Sequence, residues 1–118
     1  MDSKIERGAS AESDAVRLLV AAGYVIVERN FRCKVGELDV IARDGDILVF
    51  VEVRSRSDAA HGSAAEMVGR TKQRRVARVA AYYLATKSPD YEQCRFDVVA
   101  ITAGEAILIK DAFRLRGR

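Results

Sequence analysis

The stretch GELDVIARDGDILVFVEVRSR, residues 36–56, decides the fold. Val40-Ile41-Ala42 and Ile47 to Val51 are apolar, and Asp44-Gly45 lies between them. An Asp-Gly pair between β-forming runs is a strong hairpin signal, because a tight turn needs backbone angles that glycine adopts freely. The pattern predicts a strand over Glu37 to Arg43, turned by Asp44-Gly45 into a second over Ile47 to Ser55. Yet Asp39 and Glu52 interrupt runs that a sheet would ordinarily fill with hydrocarbon. A buried charge is costly unless it is paired or coordinated to a metal, so something must hold these acids.

Side chains two apart in a strand share a face. On that rule Glu37, Asp39 and Ile41 fall on one side of the first strand, and Phe50, Glu52 and Arg54 on one side of the second. Asp39 and Glu52 stand at comparable distances from the turn, so both can reach one point near the open end of the hairpin. Two carboxylates and the Val53 carbonyl converging there would make a hard, oxygen-rich site suited to Mg²⁺ or Mn²⁺. Arg54 would project beside the metal and hold a phosphate oxygen. The competing reading is a set of cross-strand ion pairs on a solvated face. Against it stand Val49, Phe50, Val51 and Val53, which pack both faces of the strand and deny Glu52 free solvation.

Outward from the hairpin, Ala9 to Ala22 carries Ala15, Leu18, Leu19 and Ala22 at helical spacing, with Gly23 as a stop. Ser10 is its expected cap, with Ser13 and Asp14 near the positive end. Tyr24 to Arg32 reads as a strand and Ser57 to Met67 as a loop of small and polar residues. A second helix is expected over Thr71 to Lys87, with Val76, Val79, Ala80, Tyr83 and Leu84 on one face and Lys72, Arg75 and Arg78 on a basic one. Ser88-Pro89-Asp90 ends it. Phe96 to Ile101 and Ala106 to Lys110 are the last strands, joined by a turn at Ala103-Gly104. The predicted order is α-β-β-β-α-β-β, an α/β mixed sheet flanked by helices in one domain over residues 1–118.

Composition narrows the classes. With 118 residues, 49% hydrophobic and 31% charged, the chain is long enough for a core and too apolar for global disorder. The net charge of +3 and pI near 9.1, carried mostly by arginine, permit a phosphate-bearing partner without demanding one. No apolar run approaches the roughly 18 residues of a membrane span, and the N-terminus has no apolar signal core, so a cytoplasmic protein with no membrane partner is expected. Cys33 and Cys94 have neither CxxC spacing nor a nearby histidine pair. They read as two reduced, mostly buried thiols rather than a zinc site or a disulfide.

GELDVIARDG and LVFVEVRSR, with the early GASAESDAVRLL, the KQRRVARVAAYYL helix and RFDVVAI, resemble the YraN-type family of uncharacterised bacterial proteins. The likeness runs from Gly8 to Phe113. It implies a branch of the restriction-endonuclease-like superfamily, near the archaeal Holliday-junction resolvases, with a PD-(D/E)xK nuclease core of three layers. On that resemblance Asp39 matches the motif's aspartate, Glu52 its glutamate, Arg54 its lysine, and Glu12 the helical acid of the resolvase-like branch. The implied activity is metal-dependent phosphodiester hydrolysis on nucleic acid, DNA above all and branched DNA in particular. The alternative is a catalytically weak or inactive binding module of the same fold. Cutting both strands of a junction favours two symmetric sites, so a homodimer is a natural assembly.

The departure from the pattern is Arg54. An arginine, with a pKa above about 12, cannot deprotonate water, though it still neutralises phosphate charge. Either the site is weak or another residue compensates, and Lys72 at the start of the second helix is the candidate; its alternative is a solvated helix charge. Arg54, Arg56, Arg70, Lys72, Arg74, Arg75 and Arg78 are the expected nucleic-acid contacts. Arg114, Arg116 and Arg118 form a basic tail that reads as a solvated face. His61, the sole histidine, reads as an exposed loop residue, Tyr83 as core, and Glu37 as secondary to Asp39. Asp97 is expected to pair with Arg95 or another arginine.

Overall fold

In the computed structural model, which describes residues 3–56, 68–102 and 105–114, Asp44-Gly45 makes the expected hairpin. Strand β2 (Gly36–Asp44) pairs antiparallel with β3 (Ile47–Arg56) from Asp44–Ile47 to Val40–Val51. Gly45 has φ 61°, in the left-handed region that a side chain would disfavour. Ahead of the hairpin lie helix α1 (Ser3–Ala21) and strand β1 (Val25–Cys33). Behind it come helix α2 (Arg70–Lys87), β4 (Gln93–Thr102) and β5 (Glu105–Ile109). The order is the predicted α-β-β-β-α-β-β.

The strands form one mixed sheet in chain order, antiparallel except for β3 and β4, which run parallel from Ile47–Gln93 to Arg56–Thr102. A parallel pair needs a crossover, and α2 lies in that connection. On one face Val76, Val79, Ala80 and Tyr83 of α2 pack on Phe31, Leu38, Ile41, Leu48, Phe50 and Val98. On the other, Ala15 and Leu19 of α1 pack on Val40, Ala42, Val49, Val51, Val99 and Ile101. Central strand β3 is covered on both sides, which is why ILVFVEV shows no polar alternation.

Three local expectations need correction. The first helix starts at Ser3 rather than Ala9, so Ser10 lies inside it and does not cap it. Lys4, Glu6, Arg7 and Ala9 are good helix formers and extend it past Gly8. The thiols are free, but Cys33 is only half-buried and Cys94 is exposed. Cys94 sits in the first, open part of β4, before that strand becomes buried at Asp97. Strand β4 itself begins at Gln93 rather than Phe96, because its pairing with β3 starts there.

Residues 57–67, with His61, the 103–104 turn, Arg116 and Arg118 lie outside the described residues. Arg114 pairs with Asp111, its neighbour one helical turn's spacing away. Among the described residues no helix is long and apolar enough to cross a membrane.

Candidate functional site

The β2–β3 ladder ends at Val40–Val51, and the next residues along the two strands are Asp39 and Glu52. There the Asp39 carboxylate accepts the Val53 N–H through Oδ2 at 2.8 Å, so a side chain takes a ladder donor. Alternation fails at the same point. Leu38 and Val40, two apart, pack on opposite faces of the sheet, whereas Leu38 and Ile41 share the α2 face. Regular alternation of Glu37, Asp39 and Ile41 on one side is therefore corrected: the backbone of β2 rotates at Asp39. Glu37 pairs with Arg32 at 3.2 Å on the exposed surface and joins no site.

Glu52 continues the Leu48–Phe50 face toward α2 and is 5% exposed. It meets Lys72 Nζ at 3.0 Å. Lys72 precedes Val76, Val79 and Tyr83 by four, seven and eleven positions, so it belongs to the stripe of α2 that faces the sheet. The reading of Lys72 as a merely solvated helix charge is thereby overturned. Burial pushes the Glu52 carboxyl above the ordinary carboxylate range, and the Asp39 charge adds to the rise against Lys72 and Arg54. Burial likewise pushes Asp39 up; the Val53 N–H and Lys72 oppose it, and Glu12 and Glu37 add to it. The two acids thus share one electrostatic site and resist being charged together.

Glu12 approaches from α1. Its two carboxylate oxygens accept from Arg29 Nε at 3.3 Å and Asn30 Nδ2 at 3.2 Å. Between Glu12 and Asp39 opens a cavity of about 300 Å³ lined by Ala11, Glu12, Asn30, Asp39, Val53 and Ser55. Asn30 and Ser55 were not singled out from the sequence. The available signal was an asparagine, a poor strand former that tolerates positive φ, standing inside a strand.

Arg54 is half-buried, and its Nε is buried without a hydrogen-bond partner among the described residues. Arg70, Arg74, Arg75 and Arg78 are exposed along α2. The side chain of Arg56 lies outside the described residues. Among the described residues no three or more His, Cys, Asp or Glu side chains gather into a metal-binding cluster. The donors present are carboxylate oxygens on the buried Glu52 and the half-buried Asp39, whose charge repels that of Glu52. That donor set fits a hard divalent ion such as Mg²⁺ or Mn²⁺ and no softer metal.

One strand over, on β4, lies a second buried acid, opposite Val51 and one rung from Glu52. Asp97 is fully buried, and it accepts from Arg95 Nε at 2.8 Å and a second Arg95 nitrogen at 2.9 Å. The Tyr24 hydroxyl and the Asp111 N–H complete its shell. The expected Asp97–Arg95 pair is thus present, and Arg95 reaches on to Asp44 at the hairpin turn at 2.8 Å.

Fold and site define a small α/β protein with a five-stranded mixed sheet and an acid–lysine site at the parted end of its β2–β3 hairpin. The chain belongs to Uncharacterised protein family UPF0102, whose pattern matches residues 11–101, so the YraN-type resemblance holds. It is 46% identical to a UPF0102 protein of Syntrophus aciditrophicus (strain SB) over 98% of this chain and 94% of that one. It is 42% identical to one of Lachnoclostridium phytofermentans over 99% of each chain. With one of Hahella chejuensis the identity is 52% over 80% of this chain and 77% of the other.

Proposed function

We propose that the protein binds nucleic acid through its phosphates and hydrolyses phosphodiester bonds with Mg²⁺ or Mn²⁺. The observation that carries this reading is where the unengaged cations lie. Arg17, Arg29, Arg32, Arg95, Lys110 and Arg114 each meet an acid, and Arg43 meets the Asp90 carbonyl. Arg70, Arg74, Arg75, Arg78 and Lys87 of α2 have no such partner among the described residues, nor has Lys34. Lys34 is on the β1–β2 turn, where Gly36 packs against Arg75 and Val79. The free positive charge therefore collects around the helix that also sends Lys72 to Glu52. Arg70, Arg74 and Arg78 recur every four residues, roughly 6 Å apart along the axis, a stripe suited to a polyanion.

Asp39, Glu52 and the Val53 carbonyl would hold the ion, with Glu12 orienting the site from α1. Bound there, Mg²⁺ or Mn²⁺ supplies an acidified water and positive charge against the phosphate. Arg54 offers a guanidinium to a phosphate oxygen but cannot take a proton. Lys72 stands where an amine can neutralise charge developing on the same group. These roles, with helices on both faces of a mixed sheet, support placing the family in the restriction-endonuclease-like superfamily, near the archaeal Holliday-junction resolvases. Branched DNA, cut by a homodimer, is the substrate that placement favours. Arg54 in the lysine position favours a second reading, a weak or inactive binding module.

Fluorescence titrations of four-way-junction and duplex DNA, with cleavage followed in Mn²⁺, test both. Affinity should fall steeply as salt rises from about 50 to 200 mM. Replacing Arg74, Arg75 and Arg78 with Ala should weaken binding to all sequences alike and flatten the salt slope by about one for each phosphate no longer neutralised. An unchanged dissociation constant in the triple variant would remove α2 from the interface. Binding without cleavage would select the second reading.

A further inference from the structure

Asn30 has φ 53° although it lies in the middle of β1. A non-glycine residue seldom takes that conformation, and inside a strand it breaks alternation. Packing does not impose it, since Asn30 is exposed. What the turn of the backbone achieves is specific. Arg29 and Asn30 are consecutive, so a regular strand would point them to opposite faces. Both instead reach one carboxylate, that of Glu12, one on each oxygen.

The irregularity is shared across the sheet. The flanking pairs Arg29–Val40 and Phe31–Leu38 put Asn30 directly opposite Asp39. Asp39 is where β2 rotates and where its ladder with β3 ends. One rung of the sheet therefore carries both kinks, and the cavity between Glu12 and Asp39 opens beside it, with Asn30 in its wall.

We propose that Asn30 is the positioning residue of the site: its left-handed backbone and its amide together turn Glu12 toward the cavity that Asp39 borders. This rests on the reading of the acids as a divalent-metal site. Strain kept at an exposed residue that packing does not require is the pattern of a functional constraint. Asparagine supplies what no other single residue does here, tolerance of positive φ together with an N–H donor of the right reach.

Calorimetric titration with Mn²⁺, with apo thermal melts alongside, separates these contributions. Asn30→Gly keeps the backbone and loses the amide, and should bind Mn²⁺ about tenfold more weakly. Asn30→Ala also disfavours the backbone and should lose about a hundredfold, the two ends of the range for residues that orient ligands. In a Glu12→Ala background, Asn30→Gly should have no further effect, because the amide acts through Glu12. Wild-type Mn²⁺ affinity in Asn30→Ala would overturn the proposal while leaving the metal site standing. Wild type that ignores Mn²⁺ would instead sink the metal reading. The apo melts then decide the Asn30–Glu12 tether: non-additive shifts keep it, and additive shifts remove it.

Discussion

Lys72→Met removes the one cation among the described residues that meets Glu52 while keeping most of the hydrocarbon stem. In wild type the ammonium lies 3.0 Å from the carboxylate; the Lys72 side chain is 39% exposed and that of Glu52 only 7%. Breaking a fully buried pair costs about 3–5 kcal/mol, because the partner is left charged without water or a counter-ion. Here water can follow the lost ammonium, so about 2 kcal/mol is expected, roughly a 6–10 °C fall in melting temperature for a domain of this size. The pH dependence has a definite sign. Glu52 has a folded-state pKa raised above its unfolded value by burial and by Asp39, so the folded state binds its proton more readily than the unfolded chain does. The deficit of Lys72→Met is then largest above the raised pKa. It shrinks as pH falls through that pKa toward the ordinary carboxylate range. Adding Glu52→Gln to Lys72→Met should recover most of the loss, since no buried charge is left unpaired. Circular-dichroism melts of the two single variants, the double variant and wild type across pH make the measurement. If Lys72→Met melts like wild type at neutral pH, or the double variant is no more stable than Lys72→Met, the pairing is energetically empty.

Arg54→Lys should leave DNA affinity unchanged and raise Mn²⁺-dependent cleavage if a missing base limits the reaction. A rate at or below wild type in single-turnover assays would count against that idea. Asp97→Asn should cost about 3 kcal/mol, because it removes the buried one of the two carboxylates that pair with a guanidinium only 14% exposed. Its Mn²⁺ affinity should stay at the wild-type value, since Asp97 is held by Tyr24, Arg95 and the Asp111 N–H and touches neither Asp39 nor Glu52; a large loss there would mean that the two clusters are coupled.

The architecture was legible because it rests on local rules. Asp44-Gly45 announces a hairpin, the doubly apolar run through Phe50 announces a strand buried on both faces, and Val76, Val79 and Tyr83 announce the face that α2 buries. Lys72 reads instead as part of a basic face with Arg75 and Arg78, although four positions before Val76 it falls on the stripe that α2 buries. A lone charge at a helix start reads equally well as solvated, however, and only the position of Glu52 beneath it decides. The kinked rung was not legible. Strict alternation put Glu37, Asp39 and Ile41 on one side, and nothing local says that Asp39 will use its side chain to accept the Val53 N–H. That bond depends on a partner fourteen residues away, as the Asn30 bond depends on Glu12 across eighteen.

Two clusters on neighbouring rungs of the sheet answer why this chain buries acids at all. In one cluster Asp97 is completely enclosed, and its two oxygens receive both Arg95 donors, the Tyr24 hydroxyl and a backbone N–H. That is how the fold treats an acid kept for structure: every lone pair that matters is met. In the other, Asp39 and Glu52 hold one backbone N–H and one lysine between them among the described residues; burial pushes both upward, and the Asp39 charge pushes Glu52 further. A chain able to satisfy the first acid so fully leaves the second pair, among the described residues, short of positive charge, beside an arginine whose buried Nε also lacks a partner there. Under-satisfied buried charge at one rung, with a strained asparagine across from it, is what the proposed metal site calls for. The same deficit predicts its occupant: a small, hard cation that both acids can share, with an anion on Arg54.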